Sequence, residues 1–351
     1  ENKYKRRNWR NIDILIIDEV SMLSLKLFNL LDQVAKACRG NRLPFGGIQI
    51  IFSGDFFQLP PIGTEKEPDT LKFCFESKLW NEYFPNQIIL EENFRQTGEE
   101  YNNILNEIRI GKITNKSYNT LKKYVGRNIN LENELKPTIL YPTRNKVDQI
   151  NKNSLEKLKG DYIKFKIEVC NINELTISEK DRRSLEKYSN KQISYELNNL
   201  ISNVNCEKKL KLKIGAQVMC IANIDMESKY PIYNGSQGII KEFTDYGPIV
   251  KFNNGTTRII GKHIWQSENI KSVGIKQIPL ILAWAITIHK SQGASLDIAQ
   301  IDVGSKIFEC GQTYVALSRI KSLNGLFLKS FNPDKIKVNE KVKEFYDNLI
   351  N

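Results

Sequence analysis

The sequence has 351 residues, 40% of them hydrophobic, which is enough for the cores of two domains. No apolar run is long enough to cross a membrane as a helix, so we expect no membrane partner. The formal charge of +12 and the pI near 9.2 favour a polyanionic partner, although a generally lysine-rich composition would also produce this excess. Six cysteines without a CxxC pair, with only two histidines, argue against a structural zinc site and are typical of a reducing compartment.

The first predicted element is an apolar segment, residues 12–17, that stops at Asp18 and Glu19. A near-continuous apolar run predicts a central parallel strand with helices over both faces. Because open α/β sheets bind ligands at the carboxyl ends of their strands, the two acids are placed for Mg²⁺ chemistry. Asp18 would hold the metal and Glu19 would polarise an attacking water. The alternative is that the two acids only cap a helix at a strand-to-helix turn.

A helix and a second strand follow. Ser24 predicts the N-cap of the helix, and Gly40 predicts its end. Residues 47–52 predict the strand, and the polar segment after it contains Gln58, whose amide can both donate and accept. Such a side chain suits the sensing of a γ-phosphate or the orientation of water. The apolar face of the helix is predicted to consist of Leu27, Leu30, Leu31, Val34 and Cys38.

Two sequence blocks carry a resemblance to a known family. They are residues 44–49 (PFGGIQ) and residues 54–61 (GDFFQLPP). Together with the helix before them they resemble the signature of the Pif-one family of DNA helicases, which belongs to superfamily 1B and translocates 5′ to 3′. Related RNA helicases share the second block but not the first. Matching motifs continue in the same order to about Leu328.

The resemblance implies roles for residues along the whole chain. Residues 87–90 predict a short strand that leads towards Arg95. The resemblance implies that Arg95 contacts the γ-phosphate, where a surface ion pair with Glu91 or Glu92 is the alternative. Residues 313–319 (TYVALSR) resemble helicase motif VI, which makes Arg319 the arginine finger, and residues 284–293 (WAITIHKSQG) resemble motif V. The implied nucleotide-side residues are Gln292 and Gly293, and the implied DNA-backbone residues are Thr143, Arg144, Asn145, His289, Lys290 and Ser291.

The predicted fold class is α/β, and the resemblance implies two RecA-like parallel-sheet motor domains, the first incomplete. Residues 1–97 would belong to the first, residues 98–159 and 268–351 to the second, and residues 160–267 to an insertion. Tight turns at Asn234-Gly235, 245–248 and 253–255 predict short strands, which the family builds into an SH3-like barrel, here about residues 212–266. The alternating basic strand at 207–213 faces DNA or is a solvated edge strand guarded by lysine.

The sequence contains no phosphate-binding loop of the form G-x-x-x-x-G-K-[ST]. The backbone amides and lysine of that loop hold the phosphates in this class of ATPase. We therefore expect the sequence to be the carboxyl-terminal part of a helicase that needs a missing N-terminal region. By themselves, residues 1–351 are expected to be inactive and to bind no ATP at micromolar concentration.

The resemblance implies an ATP-dependent DNA helicase that uses ATP and Mg²⁺. It would translocate 5′ to 3′ on single-stranded DNA as a monomeric motor, and unwind forked duplexes in replication, repair, recombination or telomere maintenance. ATP would lie in the cleft between the motor domains. Two alternatives stay open: an RNA helicase of the same superfamily, or a non-catalytic nucleic-acid-binding fragment. The expected location is the nucleus, the mitochondrion or a viral replication site.

Overall fold

The structure, a computed structural model, describes residues 3–128, 136–204 and 206–350; residues 129–135 of the predicted second motor domain lie outside this part. The helices described are α1 (Lys3–Asn11), α2 (Leu25–Arg39), α3 (Trp80–Tyr83), α4 (Glu99–Arg109), α5 (Asn115–Lys122), α6 (Arg144–Lys157), α7 (Glu179–Ser184), α8 (Asn190–Asn203), α9 (Gln312–Leu317) and α10 (Glu340–Ile350).

The strands described are β1 (Ile14–Ile17), β2 (Gln49–Phe52), β3 (Thr138–Tyr141), β4 (Ile163–Lys166), β5 (Glu168–Val169), β6 (Lys209–Leu212), β7 (Gln217–Cys220), β8 (Gln237–Thr244), β9 (Gly247–Phe252), β10 (Thr257–Ile259), β11 (His263–Gln266), β12 (Gly274–Gln277), β13 (Leu280–Leu282), β14 (Ala285–Thr287), β15 (Ala299–Val303) and β16 (Leu326–Phe331). Parallel pairs and helices occur together, so the predicted α/β class is confirmed.

The chain forms two compact units. The first consists of Glu1–Arg127 and Ile301–Asn351, and the second of Asn128–Gln300. The predicted domain boundaries concern the motor domains of the family and stay a prediction. No helix in the described ranges is long and apolar enough to span a membrane.

The core of the first unit is aromatic. Strands β1 and β2 pair in parallel, with Ile17 opposite Phe52. Ser24 accepts a hydrogen bond from the N–H of Leu27 and so caps α2, and Gly40 ends that helix in the left-handed conformation, as predicted. Phe28 of α2 is fully buried, and rings surround it within 5.4–6.3 Å, namely those of Phe45, Phe52, Trp80, Tyr83 and Phe84.

Three predictions for this unit are wrong within the described residues. Only one face of β1 packs into the core: Ile14 and Ile16 are 51% and 65% exposed, because side chains alternate along a strand. The helix α2 turns a different face inward, so that Leu27 and Leu30 are exposed and Phe28 takes the central position. The strand expected at residues 87–90 is absent from the described sheets.

A tight turn explains the PFGGIQ block. Phe45 and Gly46 both have positive φ, 45° and 61°. A Cβ atom on Gly46 would lie 2.7 Å from the carbonyl oxygen of Ala35 in α2. The buried carboxylate of Asp32 accepts a hydrogen bond from the N–H of Phe45 at 2.8 Å, and Arg39 donates to the carbonyl of Gly46 at 2.7 Å. Helix α2 therefore holds this turn directly against its own surface.

The second unit combines a parallel pair with antiparallel sheets. Strands β3 and β14 pair in parallel, and α6 packs against them. A five-stranded antiparallel sheet has the order β10-β9-β8-β7-β13, and its strands reverse at the predicted turns 245–248 and 253–255. Strands β4 and β6 form a separate antiparallel ribbon, and Leu210 and Leu212 of β6 are fully buried in the core of the larger sheet.

Candidate active site and nucleic-acid interface

The acid pair lies at the carboxyl end of β1, beside the end of β2. The N–H of Val20 donates to the carbonyl of Ser53 at 3.0 Å, which ties the two loops together. Glu19 is left-handed, with φ 52° and ψ 46°, and its N–H donates to the Asp18 carboxylate at 2.9 Å. Gly54 is required because a Cβ atom there would lie 2.7 Å from the backbone nitrogen of Val20. The Asp18 side chain is exposed and Glu19 is half-buried, so both can receive a ligand.

A partly buried ion pair fixes the loop that carries Gln58. Arg109 of α4 binds the Asp55 carboxylate through two hydrogen bonds, of 2.9 and 3.0 Å. The guanidinium also lies over the rings of Phe57 and Tyr346, at 4.5 and 5.1 Å from their centroids. Burial raises the pKa of the Tyr346 hydroxyl to about 12, so it remains an O–H donor to Asp55. Because the N–H of Gln58 donates to the Asp55 carbonyl, this cluster sets the position of Gln58.

The Gln58 side chain has an unused acceptor. Its Oε1 atom is buried and has no hydrogen-bond partner among the described residues. The start of α9 packs directly on the loop, since a Cβ atom on Gly311 would lie 2.4 Å from the carbonyl oxygen of Phe57. An unpaired buried acceptor costs about 1–3 kcal/mol. A donor from a ligand or an ordered water would offset that cost.

Arg319 is almost completely buried beside other charges. Its side chain is 1% exposed, and its Nε donates to the carbonyl of Val315 at 3.0 Å. Burial and, to a smaller extent, the charge of Arg95 lower the pKa of the guanidinium to about 10, while Tyr314 and Glu19 act in the opposite direction. Arg319 therefore stays protonated at neutral pH. The structure brings Arg319, Arg95 and Glu19 within electrostatic reach of one another.

The segment around Arg95 supports the end of α9. The side-chain amide of Gln96 donates to the carbonyls of Ser318 and Ile320 at 2.7 and 3.2 Å. The hydroxyl of Tyr101 donates to the carbonyl of Leu317 at 2.8 Å, and burial raises its pKa. These bonds tie Gln96 and Tyr101 to carbonyls at, and just beyond, the C-terminal end of α9. Arg95 itself is exposed, and no described residue forms an ion pair with it.

The predicted DNA-backbone residues lie together in the second unit. The N–H of Ile288, after β14, donates to the carbonyl of Tyr141 at the end of β3, at 3.0 Å. The loops that follow both strands therefore meet at one edge of the sheet. Thr143 is the N-cap residue of α6, without a side-chain capping bond, and Asn151 of α6 holds β14 through a bond of 2.8 Å to the carbonyl of Ala285.

The side chains at this edge differ in exposure. Thr143, Arg144, Asn145 and Lys290 are exposed, and His289 is half-buried. Ser291 is fully buried, and its hydroxyl donates to the carbonyl of Ile288 at 2.7 Å, so it stabilises the turn. Gln292 is half-buried, and Gly293, with φ 75°, ends the segment. Partial burial raises the pKa of nearby Glu207, while the positive charges of Lys290 and Arg144 lower it.

Comparisons with known proteins match both units. The sequence pattern of the PIF1-like helicase family matches residues 1–119, and that of the DNA helicase Pif1 2B domain matches residues 196–243. The crystal structure of the Pif1 helicase from Candida albicans is 34% identical, with a TM-score of 0.75, over 99% of this chain and 79% of that chain. The chain belongs to the PIF1-like helicase family.

Further relatives of this PIF1-like chain carry informative names. A Bacteroides Pif1 structure bound to ssDNA is 28% identical, with a TM-score of 0.67, over 99% of this chain and 78% of that one. The ATP-dependent DNA helicase PIF1 of Emericella nidulans is 32% identical over 406 residues, covering 100% of this chain and 51% of the relative. The chain thus spans about half the length of the curated relatives it matches.

Four residues in the first unit of this PIF1-like chain carry charged or polar groups of the kinds that a nucleotide and its Mg²⁺ require. Arg319 presents a buried positive charge, Gln58 has an unused buried acceptor, and Asp18 and Glu19 supply carboxylates for a metal. Oxygen donors of this kind are the ligands that Mg²⁺ prefers.

Sequence reasoning missed the residues that position this site. Asp55, Arg109, Gln96 and Tyr101 were not assigned roles, although all four make buried or half-buried polar contacts. Asp55 stands inside the GDFFQLPP block, which was the available signal. Nothing in the sequence connected it with an arginine 54 residues later.

Proposed function

We propose that the protein containing this chain is an ATP-dependent DNA helicase that translocates 5′ to 3′. The observation that carries the proposal is the placement of buried Arg319 beside Arg95 and Glu19 in one unit. An arginine finger and a water-activating acid are the parts that phosphoryl transfer requires. The names of the relatives support ATP as the energy source and DNA as the substrate.

The residues of the first unit divide the hydrolytic work. Asp18 holds Mg²⁺ that arrives with ATP, and Glu19 polarises the attacking water. Gln58 orients the attacking water, which can donate to the unpaired, buried Oε1 of its amide. Arg95 and Arg319 stabilise the charge that develops on the transferred group, and guanidinium suits this because it remains charged and offers a planar fork. On the second unit we assign Gln292 and Gly293 to the nucleotide.

The residues at the shared edge of β3 and β14 form the DNA path. Thr143, Arg144 and Asn145 lie at the N-terminus of α6, where backbone N–H groups favour phosphate. His289 and Lys290 face the backbone from the neighbouring loop. Ser291 acts by shaping that loop, because its hydroxyl proton is used within the turn. Single-stranded and forked DNA are the substrates we assign, and phosphate contacts of this kind carry no base preference.

The resemblance to the family also suggests to which domains the sheets belong. We assign the parallel pairs β1–β2 and β3–β14 to two RecA-like motor domains with the predicted boundaries. The five-stranded antiparallel sheet supports an SH3-like barrel at about residues 212–266. All six cysteines are free, which suits a reducing compartment such as the nucleus, the mitochondrion or a viral replication site.

The test is unwinding by the protein with ATP and Mg²⁺. Duplexes carrying a 5′ or a 3′ single-stranded tail are compared, and only the 5′-tailed duplex should be separated. Glu19→Gln should abolish separation while preserving DNA binding, because it removes the water-polarising carboxylate and leaves the phosphate contacts in place. Preference for a 3′ tail or for an RNA duplex, or full activity of Glu19→Gln, would contradict the proposal.

A further inference from the structure

The β4–β6 ribbon of the second unit carries a ladder of like charges. The antiparallel register places Lys164 opposite Lys211 and Lys166 opposite Lys209. All four side chains are exposed, and none forms an ion pair within the described ranges. Like charges directly opposite one another destabilise a pair of strands. Two such pairs in succession therefore lower the stability of the ribbon, and an anionic partner would relieve the repulsion.

The inner face of the ribbon makes the ladder rigid. Leu210 and Leu212 are fully buried, and Phe165, opposite Leu210, packs against the same core. The alternation along each strand therefore fixes which side chains point outward. The lysine ladder, defined as Lys164, Lys166, Lys209 and Lys211, is anchored on a packed sheet, unlike lysines on a loop.

An aromatic ring extends one end of the ladder. Tyr162 is 38% exposed, and the ammonium groups of Lys213 and Lys211 lie 4.5 and 5.6 Å from its ring centroid. Lys213 also donates to the carbonyl of Leu158 at 2.8 Å, which fixes the position of its ammonium group next to the ring. An exposed ring beside positive charges is a surface on which a nucleic-acid base can stack.

The other end of the ladder approaches the DNA-backbone residues. Glu207, two residues before Lys209, lies near enough to Lys290 and Arg144 to be affected by their charges. Glu168 is the other acid next to the ladder, and its carboxylate forms an ion pair with the ammonium group of Lys262 at 2.6 Å. Neither acid therefore forms an ion pair with the ladder. The positive charge of the four lysines remains available to a partner.

We infer that the lysine ladder binds the phosphate backbone of nucleic acid and extends the DNA path of the second unit along the ribbon. This inference rests on the proposed function, because it adds a contact to the same DNA. Four exposed charges and one ring give electrostatic attraction and stacking, which do not depend on sequence.

The test compares two variants that lose the same charge. One is Lys164→Gln/Lys166→Gln/Lys209→Gln/Lys211→Gln, and the matched control replaces four exposed lysines elsewhere, Lys78, Lys112, Lys187 and Lys191, by Gln. Binding of a fluorescent oligo-dT strand and of a duplex is measured from 50 to 200 mM salt, with circular dichroism as a check on folding.

We expect the plot of log binding constant against log salt concentration to be less steep for the ladder variant than for the wild type. The slope should decrease in magnitude by about 0.7 per lysine on single strands and by about 0.9 per lysine on duplex. Over that salt range the wild-type affinity for single strands would then fall about 50-fold more than that of the ladder variant. The control should keep the wild-type slope. The larger effect, on strand or duplex, identifies which DNA the ladder contacts.

Equal slopes for the ladder variant and the control would overturn the inference while leaving the helicase proposal intact, provided that the wild type binds and unwinds DNA. Failure of the wild type to bind DNA would overturn both. A ladder that binds polyglutamate but contributes nothing to DNA binding would show an acidic protein partner, and would also overturn it.

Discussion

Arg319 is a charged side chain that the fold keeps out of water. Its Nε donates to the carbonyl of Val315, and its Nη2 donates to the hydroxyl of Ser318 at 2.9 Å. Burial alone disfavours the charged form, and nearby Arg95 adds to this effect. An anionic phosphate would reverse the balance for both arginines. In the role proposed here, Arg319 gains most when negative charge develops on the transferred phosphoryl group in the transition state.

We predict that Arg319→Ala lowers the rate of ATP hydrolysis by about 10³-fold or more and leaves ATP and DNA affinity nearly unchanged. The reason is that a finger acts on charge that develops only in the transition state. Steady-state hydrolysis and equilibrium binding, measured in the whole protein, are the readouts. Arg319→Lys keeps the charge but loses the fork, so it should also be slow. Lost DNA affinity with normal turnover would remove Arg319 from this role.

At the scale of elements, the contact between α2 and the PFGG turn depends on glycine. Gly40 and Gly46 have nearly the same φ, 64° and 61°, yet a Cβ atom meets nothing within 4 Å at Gly40 and a carbonyl oxygen 2.7 Å away at Gly46. Alanine substitutions at the two glycines would therefore separate two contributions to the loss of folding stability, that of the backbone conformation and that of close packing.

We predict that Gly40→Ala costs about 1–2 kcal/mol of folding stability, from the left-handed conformation alone. Gly46→Ala should cost about 1–3 kcal/mol more, because the turn must move away from α2. Urea unfolding of both variants gives the comparison. Equal losses would mean that the turn relaxes without strain.

The lysine ladder makes an element-scale prediction about stability. Lys211→Gln removes the like charge opposite Lys164 and should stabilise the fold by about 0.2–1 kcal/mol at low salt. The gain should vanish at 1 M salt, because exposed charges are then screened over about 3 Å. Thermal unfolding at both salt concentrations provides the measurement. Destabilisation at low salt would show that Lys211 contributes packing that outweighs the repulsion.

At the scale of the molecule, the charge and the two sites point to one kind of partner. The formal charge is +12, and the second unit presents exposed Arg144 and Lys290 at the carboxyl edge of a parallel pair. The catalytic residues that we assign lie in the first unit, and the DNA-backbone residues lie in the second. Each group could thus be tested separately by substitution.

We predict that affinity for single-stranded DNA falls steeply with salt, with a log–log slope of about 0.7 per neutralised phosphate. Base composition should change the affinity little, because the contacts are with backbone and ring faces. Titrations of oligonucleotides of equal length and different sequence at several salt concentrations are sufficient. A flat salt response, or strong preference for one short sequence, would argue against a translocating motor.

The sequence by itself determined what depends on neighbours along the chain. The cap at Ser24, the end of α2 at Gly40 and the turns of the antiparallel sheet follow from local backbone preferences. The alternation at residues 207–213 correctly indicated a strand with a basic face. The family motifs also indicated the α/β class, since Asp18, Gly54 and His289 follow the ends of β1, β2 and β14.

Only the tertiary structure decided what depends on partners distant in sequence. An apolar run does not say which of its faces is covered, so Ile14 and Ile16 were wrongly expected to be buried. The pairing of Asp55 with Arg109, and the support of Arg319 by Gln96 and Tyr101, join residues 54 to more than 200 positions apart. Hydrogen bonds and burial of this kind are set by packing between elements, and one sequence read in order does not contain their distances.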